Sequence, residues 1–426
     1  MDFEFERDFD LEIGSSMVKR RSSKFMLLWK LPGNEVSGGI SSSPLKYRNL
    51  VIFGCGDHYL YALNLNTGKM VWKFKASQIF VDMRPAEENG IIYAGSYDGH
   101  MYALNGESGK EIWRFKTGGS IYGSCIVKDG KVYFGSEDSN VYAVDSKTGK
   151  ELWRFKTGAE VGSAPTIHNG IMYIGSYDDN LYALDPETGR ELWRFKTGGN
   201  ISNSLPYFAD DNVLYISCID GNVYAIDLEN RKEKWRFRTG GWLLASPKPF
   251  GDLIYFVSGD GNMYCVNKEG KQVWKFMTDS YMDGSPEVLI ENGILYYGSS
   301  NGNFYALDGR TGKELWRFKT DGEIISTPIM HEGKLYFGSF DCHFYCIDLN
   351  GKEIWRFKTS SSVKWKIPPE SEWFEFEVDI KEEPDEAIRE YGKGVNISEL
   401  ESLESEYSLK SEYQTKSEYK TESEYK

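Results

Sequence analysis

An all-β, eight-bladed β-propeller of four-stranded antiparallel blades is the fold this sequence predicts, and three observations predict it. One segment recurs at a period near forty residues, each period reads as four short strands, and no helical period survives in the repeated region. Matching copies end at Trp29, Trp72, Trp113, Trp153, Trp193, Trp235, Trp274, Trp316 and Trp355, spaced 43, 41, 40, 40, 42, 39, 42 and 39 residues apart. Eight intervals of this length call for eight copies of one supersecondary unit.

The chain opens on an acidic extension, residues 1–24. Residues 1–16 carry six acidic groups and Arg7, where a signal peptide would be basic and then apolar. The short apolar stretch Phe25 to Trp29 is too brief for a signal core and reads as the first repeat strand. No run approaches the roughly 18 apolar residues of a membrane span, so a cytoplasmic protein without a membrane span is expected.

The repeats occupy residues 25–360. Within one period, Val132-Tyr-Phe-Gly-Ser136, Val141-Tyr-Ala-Val-Asp145 and Glu151-Leu-Trp-Arg-Phe155 are β-branched and aromatic runs separated by turn residues. The remaining strand begins near Pro165, a residue that cannot donate to a ladder and belongs at a strand start. Asp129-Gly130, Asn169-Gly170 and Asn292-Gly293 suit tight hairpins, because glycine accepts positive φ. Asp185-Pro-Glu-Thr-Gly189 reads as a type I turn closed by a glycine bulge.

A four-stranded sheet repeated eight times has to cover two faces and two edges per copy, and radial stacking about an axis does so. The tryptophans Trp72, Trp113, Trp153, Trp193, Trp235, Trp274, Trp316 and Trp355 are the expected cement between blades. Burying the 150 to 250 Å2 an aromatic side chain offers is worth about 4 to 6 kcal/mol at most. Trp29 is a ninth, and its strand is expected to meet the last blade.

Residues 361–401 read as a linker, within which Glu372 to Ile380 alternates apolar with acidic and predicts one more strand, laid against the propeller. Residues 402–426 repeat Ser-Glu-Tyr at 405, 411, 417 and 423, a low-complexity tail expected to be disordered. A strand-forming tail is the alternative, since a period of six would align Tyr407, Tyr413, Tyr419 and Tyr425 on one face.

The net charge of −14 resides in these ends: residues 1–16 carry −5 and residues 369–426 carry −11, leaving +2 for the rest. A near-neutral propeller offers no basic face for nucleic acid. The six cysteines, Cys55, Cys125, Cys218, Cys265, Cys342 and Cys346, show no disulfide spacing and read as reduced packing residues.

Ala143-Val-Asp145-Ser-Lys-Thr148-Gly149-Lys150-Glu-Leu-Trp153 resembles the tryptophan-docking motif of the PQQ-like, or quinoprotein-type, propeller repeat. The resemblance spans about residues 25–360 and extends to the propeller of the bacterial outer-membrane assembly lipoprotein. It implies an alanine on one face of each indole and the peptide of a next-blade glycine on the other. Asn230-Arg231 stands where Thr-Gly is expected, and the copies ending at Trp274 and Trp355 are one residue short. Local turn geometry is what these departures put in question.

Candidate sites are sparse. Asp57, Asp98, Asp138, Asp178, Asp220, Asp260, Asn301 and Asp341 fall on one rim at hairpin turns, where an Asp ordinarily bonds its own backbone; no metal is assigned to them. Fold requirements are common to all blades, so a binding surface is sought where blades disagree. Asp82, Arg84, Tyr122, Asn203, Trp242, Tyr281 and Asp283 are therefore the candidate interaction rim around the mouth of the central channel. The five histidines, His58, His100, His168, His331 and His343, assemble no catalytic or metal-ligand motif by spacing. The dehydrogenases of the quinoprotein group, which bind PQQ and calcium, carry an adjacent Cys-Cys pair that this sequence lacks, and Cys342-His-Phe-Tyr-Cys346 does not have haem spacing.

A non-catalytic scaffold for an unknown protein partner is the leading expectation, with no cofactor and as a monomer. A ligand- or glycan-binding sensor and a PQQ-dependent dehydrogenase-like enzyme are the alternatives.

Overall fold

The structure is a computed structural model, and it describes residues 19–25, 38–202, 204–210, 212–278, 289–359 and 374–380. Trp29, Asn203, Tyr281, Asp283 and the Ser-Glu-Tyr tail lie outside these residues.

Eight antiparallel four-stranded sheets follow one another along the chain, each with its strands in sequence order. Blades 1 to 8 span residues 45–75, 86–116, 126–156, 166–196, 207–238, 248–277, 289–319 and 329–358. The hairpin chemistry read from the sequence is realised. Asp129 and Gly130 both take positive φ (52° and 75°), as do Asn169 with Gly170 and Asn292 with Gly293. At the third-to-fourth strand turn of blade 4, Gly189 at φ 71° donates to the Asp185 carbonyl at 2.8 Å, and the register slips between Ala183 and Leu184. Pro165 immediately precedes the first strand of its blade, Thr166–His168.

Within each blade the second and third strands are the buried ones. Met172 to Gly175 and Leu181 to Leu184 are fully inside in blade 4, whereas the fourth strand of blade 3, Glu151–Lys156, is exposed on all but Trp153 and Phe155. Blade meets blade through side chains. Eight apolar clusters each join two neighbouring sheets, and one of them unites Val51, Phe53 and Leu63 of blade 1 with Tyr336, Phe344 and Cys346 of blade 8. The ring is therefore closed. Trp355 repeats at this last seam what Trp72, Trp113, Trp153, Trp235, Trp274 and Trp316 do, donating Nε1–H to the Leu65 carbonyl at 3.2 Å with its ring against Gly68. Blade 8 takes all four strands from its own stretch of chain, Ile329–His331 to Glu353–Lys358.

The predicted strand at the C-terminal side exists as Phe374–Ile380, and its ladder partner is Lys19–Phe25, in register from Lys19 opposite Ile380 to Phe25 opposite Phe374. The two terminal regions thus form a ribbon with each other. Alternation fixed the strand but not its neighbour, since a period of two specifies a face and leaves the partner open.

Candidate functional site: the inner rim

The eight rim residues are consumed by the fold. Asp138 Oδ1 accepts from the Asn140 backbone at 3.0 Å, and Oδ2 accepts from the Tyr142 hydroxyl and from Gly118 N–H of the preceding linker, each at 2.7 Å. Asp98, Asp178 and Asp260 repeat this arrangement with Tyr102, Tyr182 and Tyr264. The aspartate is thus a clip that ties one blade to the exit of the blade before it. Burial alone would push these carboxyls up, but the tyrosine and amide hydrogen bonds outweigh it and hold Asp98, Asp138 and Asp178 below the usual range. Asn301 keeps the geometry with an amide, donating to the Thr278 carbonyl at 2.6 Å and to the Tyr305 hydroxyl at 2.9 Å. Among the described residues, no three His, Cys, Asp or Glu side chains come together as a metal-ligand set.

The segments entering the first strands carry a second ring of contacts that runs from blade to blade. Thr327 N–H donates to Ser43 Oγ at 3.2 Å, Arg84 N–H to Ser124 Oγ at 2.9 Å and Leu205 N–H to Ser246 Oγ at 2.8 Å. The first strands of blades 2 and 3 and those of blades 5 and 6 also approach each other, while the fourth strand of blade 2 is largely exposed, which puts the entry segments on the axial side.

On blades 2 to 5 this inner ring holds a polar aromatic cluster. Tyr97 donates to Asp82 Oδ2 at 3.4 Å, and its ring lies 5.5 Å from that of Tyr122 at 29°. Tyr122 donates to the Tyr177 hydroxyl at 2.8 Å, and Tyr177 shares a 2.8 Å bond with Ser202 Oγ. Gly162 makes room for Tyr122, since a Cβ there would sit 2.3 Å from the phenol oxygen. The groups lie deep among protein atoms, and burial pushes up the Asp82 carboxyl and the Tyr97, Tyr122 and Tyr177 phenols. Asp82, Tyr97 and Tyr177 nevertheless keep some accessible surface. Deep placement with residual exposure is what side chains lining an axial opening show.

Of the sequence-chosen rim, Asp82, Arg84 and Tyr122 are on this inner ring. Trp242 packs over Gly259 of blade 6, whose Cβ position is 2.5 Å from the indole. Sequence reasoning missed Tyr97, Glu137 and Tyr177. They stand immediately before the rim aspartate, where other blades have Gly56, Ile219, Gly259, Ser300 and Phe340. Disagreement between repeats marked that position as clearly as it marked Tyr122.

The histidines stay at separate turns: His100 Nδ1 is 3.2 Å from Asp98 Oδ1 and His343 Nδ1 is 3.0 Å from the Asp341 carbonyl. All six cysteines are buried and form no disulfide with one another. Cys265 and Cys346 take the alanine position opposite Trp274 and Trp355, and burial pushes both thiols up to about 12.

The closed ring, the indole seams and the aspartate clips define a PQQ-like β-propeller. In its blades the chain resembles BamB. A family model described as Outer membrane protein assembly factor BamB matches residues 259–370, and another, described as the beta-propeller of Beta-alanine-activating enzyme, matches residues 87–286. The human Beta-alanine-activating enzyme is 32% identical over 108 residues, covering 24% of this chain and 10% of that protein. The chain therefore spans about a tenth of the length of that relative. BamB from Moraxella catarrhalis superposes with a TM-score of 0.62 at 17% identity, over 76% of this chain and 96% of that one. Quinohemoprotein alcohol dehydrogenase from Comamonas testosteroni gives 0.62 at 17% identity, over 75% of each chain. At such identity these structures share the fold with this chain.

The quinoprotein likeness raises the question of whether the inner ring suits PQQ, a planar quinone bearing three carboxylates. Its anionic groups call for cationic side chains, and the cluster of blades 2 to 5 is built from Asp82, Glu137 and three phenols. These residues do not fit such a group.

Proposed function

We propose that this protein is a non-catalytic β-propeller that docks a protein partner on the inner rim, in the cytoplasm and as a monomer. The observation that carries the reading is the division of labour among rim residues. The carboxylates repeated in seven of the blades are spent on hydrogen bonds that hold the ring, whereas side chains that differ between blades gather on one arc of the axial opening. A surface specific to four blades of an eightfold ring is what a docking site needs and what ring closure does not. The BamB likeness supports the reading at the level of the blade only.

A tagged full-length chain tests it, purified beside Tyr122→Ala and Trp242→Ala variants. A partner retained by the wild-type chain and lost from the Tyr122→Ala variant is expected, with Trp242→Ala as the comparison outside the arc. Equal retention by all three would remove the rim from the proposal, and alcohol- or sugar-dependent dye reduction with added PQQ and calcium would replace the scaffold with an enzyme.

A further inference from the structure

We infer that the wall formed by Asp82, Tyr97, Tyr122, Glu137 and Tyr177 is a binding site for an organic ammonium or guanidinium group.

The argument starts from Asp82. Its backbone sits at φ 56°, a conformation that L-residues avoid, and it is held there by a bond from its N–H to Ser41 Oγ at 3.2 Å. Equivalent entry positions Ser41, Tyr122, Gly162, Leu244 and Ile325 have no positive φ. The carboxylate this conformation projects lies deep in the protein, and no Lys, Arg or His side chain among the described residues forms an ion pair with it. Its side-chain contacts are neutral hydroxyls, that of Ser41 and that of Tyr97 through a long 3.4 Å bond. Placing an anion in such a position without a counter-charge is costly.

The surroundings are suited to supplying that counter-charge from outside. The Tyr97 ring lies beside the carboxylate, backed by the buried Tyr122 ring at 5.5 Å, and its π face attracts a cation. Glu137, on the blade between those of Tyr97 and Tyr177, donates its N–H to the Ser120 carbonyl, two residues before Tyr122, at 3.0 Å and pushes up all three phenols, so it adds a second negative charge at the same wall. A hard divalent ion is best held by several converging oxygen ligands, and among the described residues no three His, Cys, Asp or Glu side chains converge. Two carboxylates and aromatic faces instead match the flat or alkyl-substituted cation of an arginine, a lysine or a free amine. The phenol chain from Tyr122 through Tyr177 to Ser202 fixes the rings, so little ordering is required on binding.

Calorimetric titration of the full chain with n-butylammonium chloride and with an acetylated, amidated lysine tripeptide tests this directly, with 1-butanol and the norleucine tripeptide as neutral controls. Binding of at least one cation, at least tenfold tighter than its neutral control, is expected. Asp82→Asn is the decisive variant, because asparagine tolerates positive φ, and it is expected to weaken binding tenfold or more. Tyr97→Phe keeps the ring and is expected to change affinity less than threefold. Which cation binds separates a free amine from a side chain of a partner. Absence of binding by both cations, or equal affinity in the folded Asp82→Asn protein, overturns the assignment. Neither result touches the scaffold proposal, whose test reads partner retention at Tyr122 and Trp242.

Discussion

The seam between blades 3 and 4 and the seam between blades 4 and 5 are built from the same plan and differ in three groups. At the first, Trp153 donates Nε1–H to the Pro186 carbonyl at 3.0 Å, Tyr133 donates to the same carbonyl at 3.2 Å, and Gly189 lies flat on the indole. At the second, Arg231 occupies the glycine position at φ 56°, and Trp193 and Tyr173 make no hydrogen bond to the facing turn among the described residues. Tyr173 and Trp193 meet edge to face at 5.8 Å instead, and Tyr173 also packs against Phe208. Outside, Gly158 N–H donates to the Asp178 carboxylate at 2.7 Å, whereas Gly198 N–H donates to the Tyr224 hydroxyl at 3.0 Å. One change, a side chain where the plan has none, accounts for the first two differences. A Cβ at a docking glycine lies about 2.6 Å from the indole, so an arginine there requires the ring and its hydrogen bonds to give way. The copies shortened by one residue do not share this fate: Gly270 and Gly351 still pack on Trp235 and Trp316. The glycine, rather than the length of the turn, is what a seam requires.

Removing the indole is the strongest way to break the comparison. Trp153→Ala is expected to lower stability by about 4 kcal/mol, through lost apolar burial and the cavity left behind. Trp193→Ala is expected to cost about 2 kcal/mol, because no hydrogen bond to the facing turn is lost with it. Denaturant midpoints at matched m-values measure the gap, and equal losses would show that the two seams are energetically alike. Substituting the glycine comes next. Gly189→Ala places a Cβ against Trp153 at a positive φ and is expected to cost about 2 kcal/mol. Arg231→Ala, at a position that already carries a Cβ, is expected to stay within about 0.5 kcal/mol of wild type. The reciprocal repair, Arg231→Gly, is expected to raise stability by about 0.5 kcal/mol, since relief of the left-handed strain is partly offset by the looser unfolded chain.

Much of this was legible in the sequence, and for a physical reason. Indole docking needs Ala143, Gly149 and Trp153 at fixed offsets, so a requirement of packing appears as a linear motif, and Asn230-Arg231 announced its own exception. The ladder between Lys19–Phe25 and Phe374–Ile380 was not legible, because it joins segments about 350 residues apart that share no motif. The inner cluster was half legible. Asp82 and Tyr122 stood out as departures from their repeats, whereas their contact through Tyr97 depends on how two adjacent blades converge at the axis. That convergence is a property of the ring, and no single repeat encodes it.

The smallest expected effect concerns acid. Asp178 is held below the ordinary carboxylate range, with burial opposing and hydrogen bonds from Tyr182, Asn180 and Gly158 N–H prevailing. A carboxyl whose folded pKa lies below its unfolded value of about 3.9 stabilises the fold fully above that pH. Its contribution is lost as pH falls through the folded pKa, so the clip at the seam of blades 3 and 4 weakens below about pH 4. At the next seam the acceptor for the linker amide is the Tyr224 hydroxyl, which stays neutral throughout this range because its pKa is pushed up by burial and by Asp220. Amide-exchange protection of Gly158 should therefore fall, relative to that of Gly198, as pH is lowered below about 4, each corrected for its intrinsic exchange rate. Asp178→Asn should abolish the difference. A parallel decline of both amides in the wild-type chain would mean that acid acts on the ring as a whole, and that the two seams differ in geometry without differing in their response to protons.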